Sequence, residues 1–178
     1  MATLRLYPSA IRPGSGYDDF TDAQLTQILG NSSNTVGSSK LYQPGTGIYA
    51  GFYFDTSQVP SGAIINSITA STQAYADYNS TRAFYSVAAY HPTYGNMLKT
   101  QEQSLTYSPG TYSIPITSYT WPVDAIRNSA IEWDFCFITT WAYWTVALYL
   151  QKFFLDIDYT PGVPPSGGKN VLYLGENF

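Results

Sequence analysis

Hydrophobic positions recur at every second residue over much of this chain, as in β-strands with one buried face. The clearest case is the segment IEWDFCF, whose apolar positions are Ile131, Trp133, Phe135 and Phe137. Because a strand sends successive side chains to opposite faces of its sheet, these four should point into the core. Residues 64–78 alternate between an apolar and a largely polar face, which is typical of a half-buried antiparallel sheet.

A turn is predicted at residues 59–62, between two of the strands. The first strand, 48–55, alternates aromatic positions and ends at Asp55. Pro60 then fixes φ and lacks an amide proton, while Gly62 permits positive φ, so the chain must change direction. The second strand begins at Ile64, which is expected on its apolar face. The two strands are predicted to form a hairpin.

The final predicted strand, 146–159, contains a change of phase. Its inward positions shift from Leu148 and Leu150 to Phe153 and the apolar residues after it. An extra residue in one strand produces such a shift, which predicts a β-bulge near Gln151 and Lys152. Other strands are predicted at 2–7, where Pro8 ends the strand, and at 82–90. Residues 105–116 are predicted to form two short strands around Pro109 and Gly110.

One helix is predicted at residues 20–29. Thr21 can cap its N-terminus, Gln24 completes a capping box, and Gly30 with Asn31 ends it. Residues 123–128 predict one further helical turn. About eight short strands separated by glycine and proline, with this little helix, predict an all-β sandwich of two antiparallel sheets.

Two segments carry a family resemblance. The run VPSGAIINSI, residues 59–68, resembles the P-x-G-A-x-I-x-S-A-x-L turn-and-strand signature of the disaggregatase-related, DNRLRE-type jelly-roll domain. The run FLDIDYTP, residues 154–161, is similar to the closing L-x-I-x-Y-T-P strand of those domains. The resemblance implies a jelly-roll module of the carbohydrate-binding type and implies no catalytic residues.

The composition changes after Pro161. Residues 162–168, GVPPSGG, have the proline and glycine content of a linker. Residues 169–178 form one apolar strand without a hairpin partner, and this ending is similar to short hydrophobic tails of bacteriophage structural proteins. We therefore predict a sandwich domain at 1–161, a linker, and a tethered C-terminal strand. That strand docks on a neighbouring subunit, folds back on its own domain, or is a frayed terminus. Its docking residues would be Val171, Leu172, Tyr173 and Leu174.

The chain is poor in charge and rich in aromatic residues. Charged residues make up 11% of it, against about 25% in typical domains, and it contains 17 tyrosines. Such a surface predicts coverage by partner subunits, that is, a homo-oligomer or a larger assembly. The alternative is an ordinary secreted β-protein that is kept soluble by Ser, Thr, Asn and Gln.

Net charge and hydropathy exclude several classes of partner. A net charge of −4, with eight scattered basic residues, gives no phosphate-binding stripe and argues against nucleic acid. No apolar run approaches the ~20 residues of a membrane span, and no signal peptide is expected. Extracellular-style composition without a leader fits a protein assembled in a host cytoplasm and released as part of a virion. Cys136, the one cysteine, is expected to be a buried, unreactive thiol.

Catalytic patterns are weak. His91 is the one histidine and lies in a predicted loop, and no Cys/His cluster or phosphate loop is present. Glu132 with Asp134, and Asp156 with Asp158, share strand faces, as a glycosidase pair could. The alternative is that they lie on solvated faces, and a short connection would place Asp134 near Lys152 as an ion pair. We predict no enzymatic activity.

Two binding sites remain as hypotheses. A structural calcium ion could bind a turn through carboxylates; alternatively, the same residues favour the positive end of the helix at residue 20. The candidates are Asp18, Asp19 and Asp22. No other cofactor is expected. Surface glycans could stack on aromatic residues at a tip of the sandwich, although burial or a subunit contact would use the same residues. These are Trp141, Tyr143 and Trp144.

The sequence thus predicts a non-enzymatic structural protein of a virion, such as a capsid decoration or tail-associated subunit. Its partners would be further copies of itself and other virion proteins, joined through tyrosine-rich contacts and the C-terminal strand. The alternative function is a carbohydrate-binding module that uses the aromatic tip.

Overall fold

The structure of the chain is a computed structural model. It describes residues 1–13, 20–38, 47–76, 83–91, 93, 95–102, 105–116, 123–127, 131–139 and 147–162. The elements in these ranges are β1 (Ala2–Leu6), β2 (Pro8–Ile11), α1 (Asp22–Thr26), β3 (Val36–Gly37), β4 (Gly47–Phe54), a 3-10 turn (Thr56–Gln58), β5 (Ile64–Ala76), β6 (Ala83–His91), β7 (Gly95–Glu102), β8 (Gly110–Ile116), α2 (Val123–Ile126), β9 (Glu132–Thr139) and β10 (Leu148–Thr160).

The strands form two antiparallel sheets, which confirms the predicted all-β sandwich. Sheet 1 has the order β1-β10-β5-β8, with β3 also pairing with β10, and sheet 2 has the order β2-β4-β9-β6-β7. The pairs β1 with β10, β4 with β9, β5 with β8, and β6 with β7 are nested along the chain. This nesting is a long hairpin wound into two sheets, the topology of a jelly roll.

Aromatic rings from both sheets fill the space between them. Trp133 and Phe135 of β9 are fully buried, as their alternation predicts. Phe153 of β10, in sheet 1, lies 4.6 Å from the rings of both Phe52 and Phe135 in sheet 2, measured between centroids. Each such ring buries roughly 150–250 Å². These contacts hold the two sheets together.

The predicted hairpin around residues 59–62 is wrong, although the turn is present. Gly62 has φ +73°, as the turn requires. However, β4 belongs to sheet 2 and β5 to sheet 1. The turn therefore carries the chain from one sheet to the other, which local sequence cannot distinguish from a hairpin.

The predicted bulge in β10 is confirmed. Leu150 pairs with Ala74 and Lys152 pairs with Gln73, which leaves Gln151 as the extra residue. A second irregularity was not predicted: β5 skips Asn66 between the pairs formed by Ile65 and Ser67. Because a bulge inverts the facing of the residues beyond it, Ile64 is 62% exposed instead of buried.

Three strands were missed: the two-residue β3 and the edge strands β2 and β7. Strand β2 begins at Pro8, the residue expected to end the first strand; proline is tolerated as the first residue of an edge strand. Strand β7, GNMLKTQE, has no clear alternation of apolar residues. Conversely, only the second of the two segments predicted at 105–116 is a strand, namely β8. Leu105 lies before β8 and is buried, although it is not part of a strand.

Helix α1 has the predicted capping box. The Thr21 hydroxyl accepts a hydrogen bond from the Gln24 amide at 3.2 Å, and the Gln24 side chain accepts one from the Thr21 amide at 2.8 Å. Gly30 follows with φ +65°, and its amide donates to the Pro8 carbonyl at 2.9 Å. The helix is thereby attached to the start of β2. The second predicted helical turn is α2.

Candidate functional site

The outer face of sheet 2 brings together charged and aromatic residues in register. Glu132 of β9 lies between Tyr53 of β4 and Tyr90 of β6. Two residues along, Asp134 lies between Gly51 and Ala88. In the row of Glu132, both flanking residues thus have long side chains. In the row of Asp134, the flanking residues have almost no side chain.

Arg12 joins the two carboxylates. It follows β2 directly, and its amide donates to the carbonyl of Gly51 at 2.9 Å. Its guanidinium lies 2.8 Å from Asp134 Oδ1 and 3.4 Å from Glu132 Oε2. The Tyr53 hydroxyl donates to Glu132 Oε1, also at 3.4 Å. We call Arg12, Tyr53, Glu132 and Asp134 the Arg12 cluster.

The contacts within the Arg12 cluster are loose. Two of its distances are 3.4 Å, longer than the 2.7–2.9 Å of a strong charge-assisted bond. Asp134 Oδ1 lies close to Arg12, but it receives no hydrogen bond of suitable geometry within the described structure, so this contact is an ion pair only. The side chains of Arg12, Glu132 and Asp134 are 25%, 30% and 24% exposed. Solvent reaches part of the cluster, whereas Arg12 Nε and Asp134 Oδ1 are buried without a hydrogen-bond partner in the described structure.

Burial dominates the electrostatics of the Arg12 cluster. It raises the pKa of Asp134; the Arg12 guanidinium opposes this shift and the Glu132 carboxylate adds to it. Burial and the Glu132 carboxylate also raise the pKa of the Tyr53 hydroxyl. One guanidinium against two carboxylates leaves a single net negative charge when all three are ionised.

One expectation for the carboxylates of β9 is wrong. The amine of Lys152 donates to Asn31 at 2.8 Å and does not pair with Asp134, because β10 and β9 lie in different sheets. Glu132 and Asp134 do lie on the outward face of β9, opposite its buried aromatic residues, but they are only partly exposed and both contact Arg12. Arg12 lies within 3.4 Å of both carboxylates, so each is held in an ion pair.

The second acidic pair lies on the outer face of sheet 1. Arg5 donates two hydrogen bonds of 2.7 Å to the carboxylate of Asp156, and its guanidinium lies 4.3 Å from the ring centroid of Phe154. Asp158 accepts from the hydroxyls of Thr3 at 2.6 Å and Ser67 at 2.9 Å, which lowers its pKa. Both carboxylates are therefore fixed by partners across the sheet.

Cys136 and His91 are structural residues. Cys136 is 5% exposed, as expected, and burial raises the pKa of its thiol, which disfavours the reactive thiolate. His91 ends β6 and is 3% exposed, although a loop was predicted there; its Nδ1 accepts from the amide of Thr93 at 3.0 Å.

Several predicted site residues lie outside the described residues. They are the aromatic tip Trp141, Tyr143 and Trp144, the docking residues Val171, Leu172, Tyr173 and Leu174, and the acidic residues Asp18 and Asp19. Asp22 is described: it lies in the first turn of α1, where its charge favours the helix N-terminus. Within the described ranges no group of three or more His, Cys, Asp or Glu could hold a metal ion. In that same part of the chain, no helix is long and apolar enough to cross a membrane.

Sequence reasoning missed Arg12 as a site residue. It lies in a turn-rich segment, and its partners are more than 100 residues away in sequence. No local pattern indicates such a contact.

Comparisons with known proteins identify no family. No family model matches the chain, and no curated protein matches it. The resemblance to DNRLRE-type domains therefore stays a prediction. One solved structure, described as "CBM4 structure and function", is 17% identical, covering 71% of this chain and 79% of its own length, with a TM-score of 0.34. Similarity at this level assigns neither family nor function.

Proposed function

We propose that this protein is a non-enzymatic structural subunit of a virion, a decoration or tail-associated protein that assembles with copies of itself. The observation that carries the proposal is the internal pairing of its charges. Arg5 and Arg12 pair with carboxylates of the same chain, and Lys152 donates to Asn31. Together with a charged fraction of 11%, this gives a described surface that is poor in charge. Such surfaces favour association.

The end of the described chain supports a role for the C-terminal segment. A Cβ atom at Gly162 would overlap the backbone of Gly62, so only glycine fits there. The preceding residue pair, Thr160 with Ile64, closes sheet 1 at this end. The last described residue, Gly162, consequently lies close to Ile64, an apolar side chain that is 62% exposed. An apolar contact between subunits at this point would cover Ile64.

The experiment is to measure the solution mass by size-exclusion chromatography with light scattering. The full chain and a chain that lacks residues 162–178 are compared, with circular dichroism as the control for folding. We expect the full chain to form a trimer or a larger species, and the shortened chain to dissociate. A folded monomer in both cases contradicts the proposal. An oligomer that survives truncation supports assembly and contradicts docking by the C-terminal strand.

Carbohydrate binding is the second candidate function, and the Arg12 cluster favours it. Partly exposed carboxylates and a guanidinium next to tyrosine rings are groups that hydrogen-bond hydroxyls and stack on sugar rings. The aromatic tip at residues 141–144 remains an alternative location for the ligand.

A further inference from the structure

We propose that the outer face of sheet 2 binds a neutral or amino-substituted saccharide over the Arg12 cluster, and that it discriminates against acidic sugars. This inference rests on the second candidate function and gives it a location and a ligand class. The residues that carry it are Arg12 and described residues of sheet 2.

The shape of the site follows from the strand register. Gly51 and Ala88 flank Asp134 and have no long side chains, so the three strands leave the row across β4, β9 and β6 low, and the Arg12 guanidinium lies in it against Asp134. Tyr53 and Tyr90 flank the neighbouring row, and Tyr49 and Ser86 flank Cys136 in the row on the other side. The three strands span two strand spacings, about 10 Å. The result is a depression with tyrosines beside it.

The polar groups of the depression match vicinal hydroxyls. Each sugar hydroxyl both donates and accepts, and the Arg12 cluster presents carboxylate acceptors beside a guanidinium donor. The contacts of Glu132 to Arg12 and to Tyr53 are both 3.4 Å, so a ligand hydroxyl can compete with them. Bonds between a hydroxyl and a carboxylate are charge-assisted and stronger than neutral ones.

Tyr90 supplies the apolar surface. Its side chain is 45% exposed, one of the few large hydrophobic side chains in that state among the described residues. It lies next to Glu132 in the register of β6 and β9. An exposed aromatic ring beside a charged hydrogen-bonding group is the combination that packs on a sugar ring while its hydroxyls are bound.

The net charge of the depression sets its preference. Two carboxylates outnumber one guanidinium, so a carboxylate on the ligand would be repelled and an ammonium attracted. Uronic acids are therefore disfavoured relative to neutral sugars, and amino sugars are tolerated.

The test is calorimetric titration of the full chain with four probes: cellohexaose, mannohexaose, the glucosamine hexamer and tetragalacturonate. Tyr90→Ala and Glu132→Gln are the site variants. Tyr107→Ala, at another exposed tyrosine, and Asp156→Asn, in the ion pair of sheet 1, are matched controls. We expect at least one neutral or amino probe to bind, and each site variant to weaken it about tenfold or more, the loss of one charged hydrogen bond or stacked ring. The controls should change affinity by less than about twofold.

The outcomes separate the site from the function. If the wild type binds none of the probes, carbohydrate binding and this site both fail. If it binds but Tyr90→Ala has no effect, while Trp141→Ala with Trp144→Ala abolishes binding, the function stands and this site is overturned. Equal affinity for tetragalacturonate contradicts the charge preference. If Glu132→Gln lowers the thermal midpoint, its loss of binding could reflect unfolding. The test of the site then rests on Tyr90→Ala, because Tyr90 is exposed and its removal should leave the fold intact.

Discussion

Asp134 and Asp158 face outward from opposite sheets, and their surroundings shift their pKa values in opposite directions. Burial raises the pKa of Asp134 above its ordinary value of 3.8. Hydrogen bonds from Thr3 and Ser67 lower the pKa of Asp158 below the same value. The two residues therefore make opposite contributions to the pH dependence of stability.

The first prediction uses this pair. The folded protein keeps a proton on Asp134 at pH values where the unfolded chain has lost it, so its contribution to the free energy of unfolding falls as the pH rises above 3.8. Asparagine has no such contribution. The free energy of unfolding of Asp134→Asn, relative to wild type, should thus increase with pH above 3.8, as measured by urea denaturation at a series of pH values.

Asp158→Asn is the matched control with the opposite sign. The charged form of Asp158 is stabilised in the folded state, and that stability is lost as the pH falls through the lowered pKa. The free energy of unfolding of Asp158→Asn, relative to wild type, should therefore decrease as the pH rises toward 3.8. Slopes of the same sign for both variants would contradict the assigned environments.

Among the elements, β10 carries a bulge that its core facing can do without. Leu148 and Leu150 before the bulge share a face with Phe153 after it, and all three are buried. Deleting the extra residue, Gln151, joins Leu150 directly to Lys152, and the regular alternation that results keeps the three side chains on one face. The deletion should therefore lower the free energy of unfolding by less than Leu150→Ala, which removes a buried side chain and should cost roughly 2–5 kcal/mol.

The comparison is deletion of Asn66, the extra residue of β5. Only Ile64 and Ile65 precede it in the strand, and Ile64 is already exposed. Deleting Asn66 joins Ile65 to Ser67 and likewise keeps the facing on both sides, so denaturant titration should show a smaller loss for either deletion than for Leu150→Ala. A loss as large as that of Leu150→Ala would contradict the assigned bulge.

At the scale of the whole molecule, strand order determines where the sandwich is most stable. Strands β5 and β10 have 13 residues each and pair on both sides, whereas β2 and β7 are edges. We expect the slowest amide hydrogen exchange between residues 68 and 74 and between 153 and 157, and faster exchange in β2. Exchange in β2 as slow as in β10 would contradict this order and would indicate a partner on that edge.

Much of the fold follows from the sequence because its determinants are local. Alternation identified the inward face of β9, the phase change located the bulge of β10, and the capping box located α1. Ile64 was assigned to the wrong face because nothing in the sequence marks the bulge at Asn66. Isoleucines stand on both sides of it, at 64, 65 and 68, so the hydrophobic pattern shows no shift there. The candidate site was less accessible: Glu132 and Asp134 were identified as a pair, but the role of Arg12 was not.

The sequence by itself determined the strand faces, the turn at Gly62, the bulge at Gln151 and the low charge, since each depends on the dihedral preferences or hydropathy of neighbouring residues. Only the tertiary structure decided that β4 and β5 belong to different sheets, that Lys152 lies far from Asp134, and that Arg12 joins two carboxylates beside Gly51 and Ala88. These contacts join residues distant in sequence, and they depend on the order of strands in the sheets, which local hydropathy does not specify.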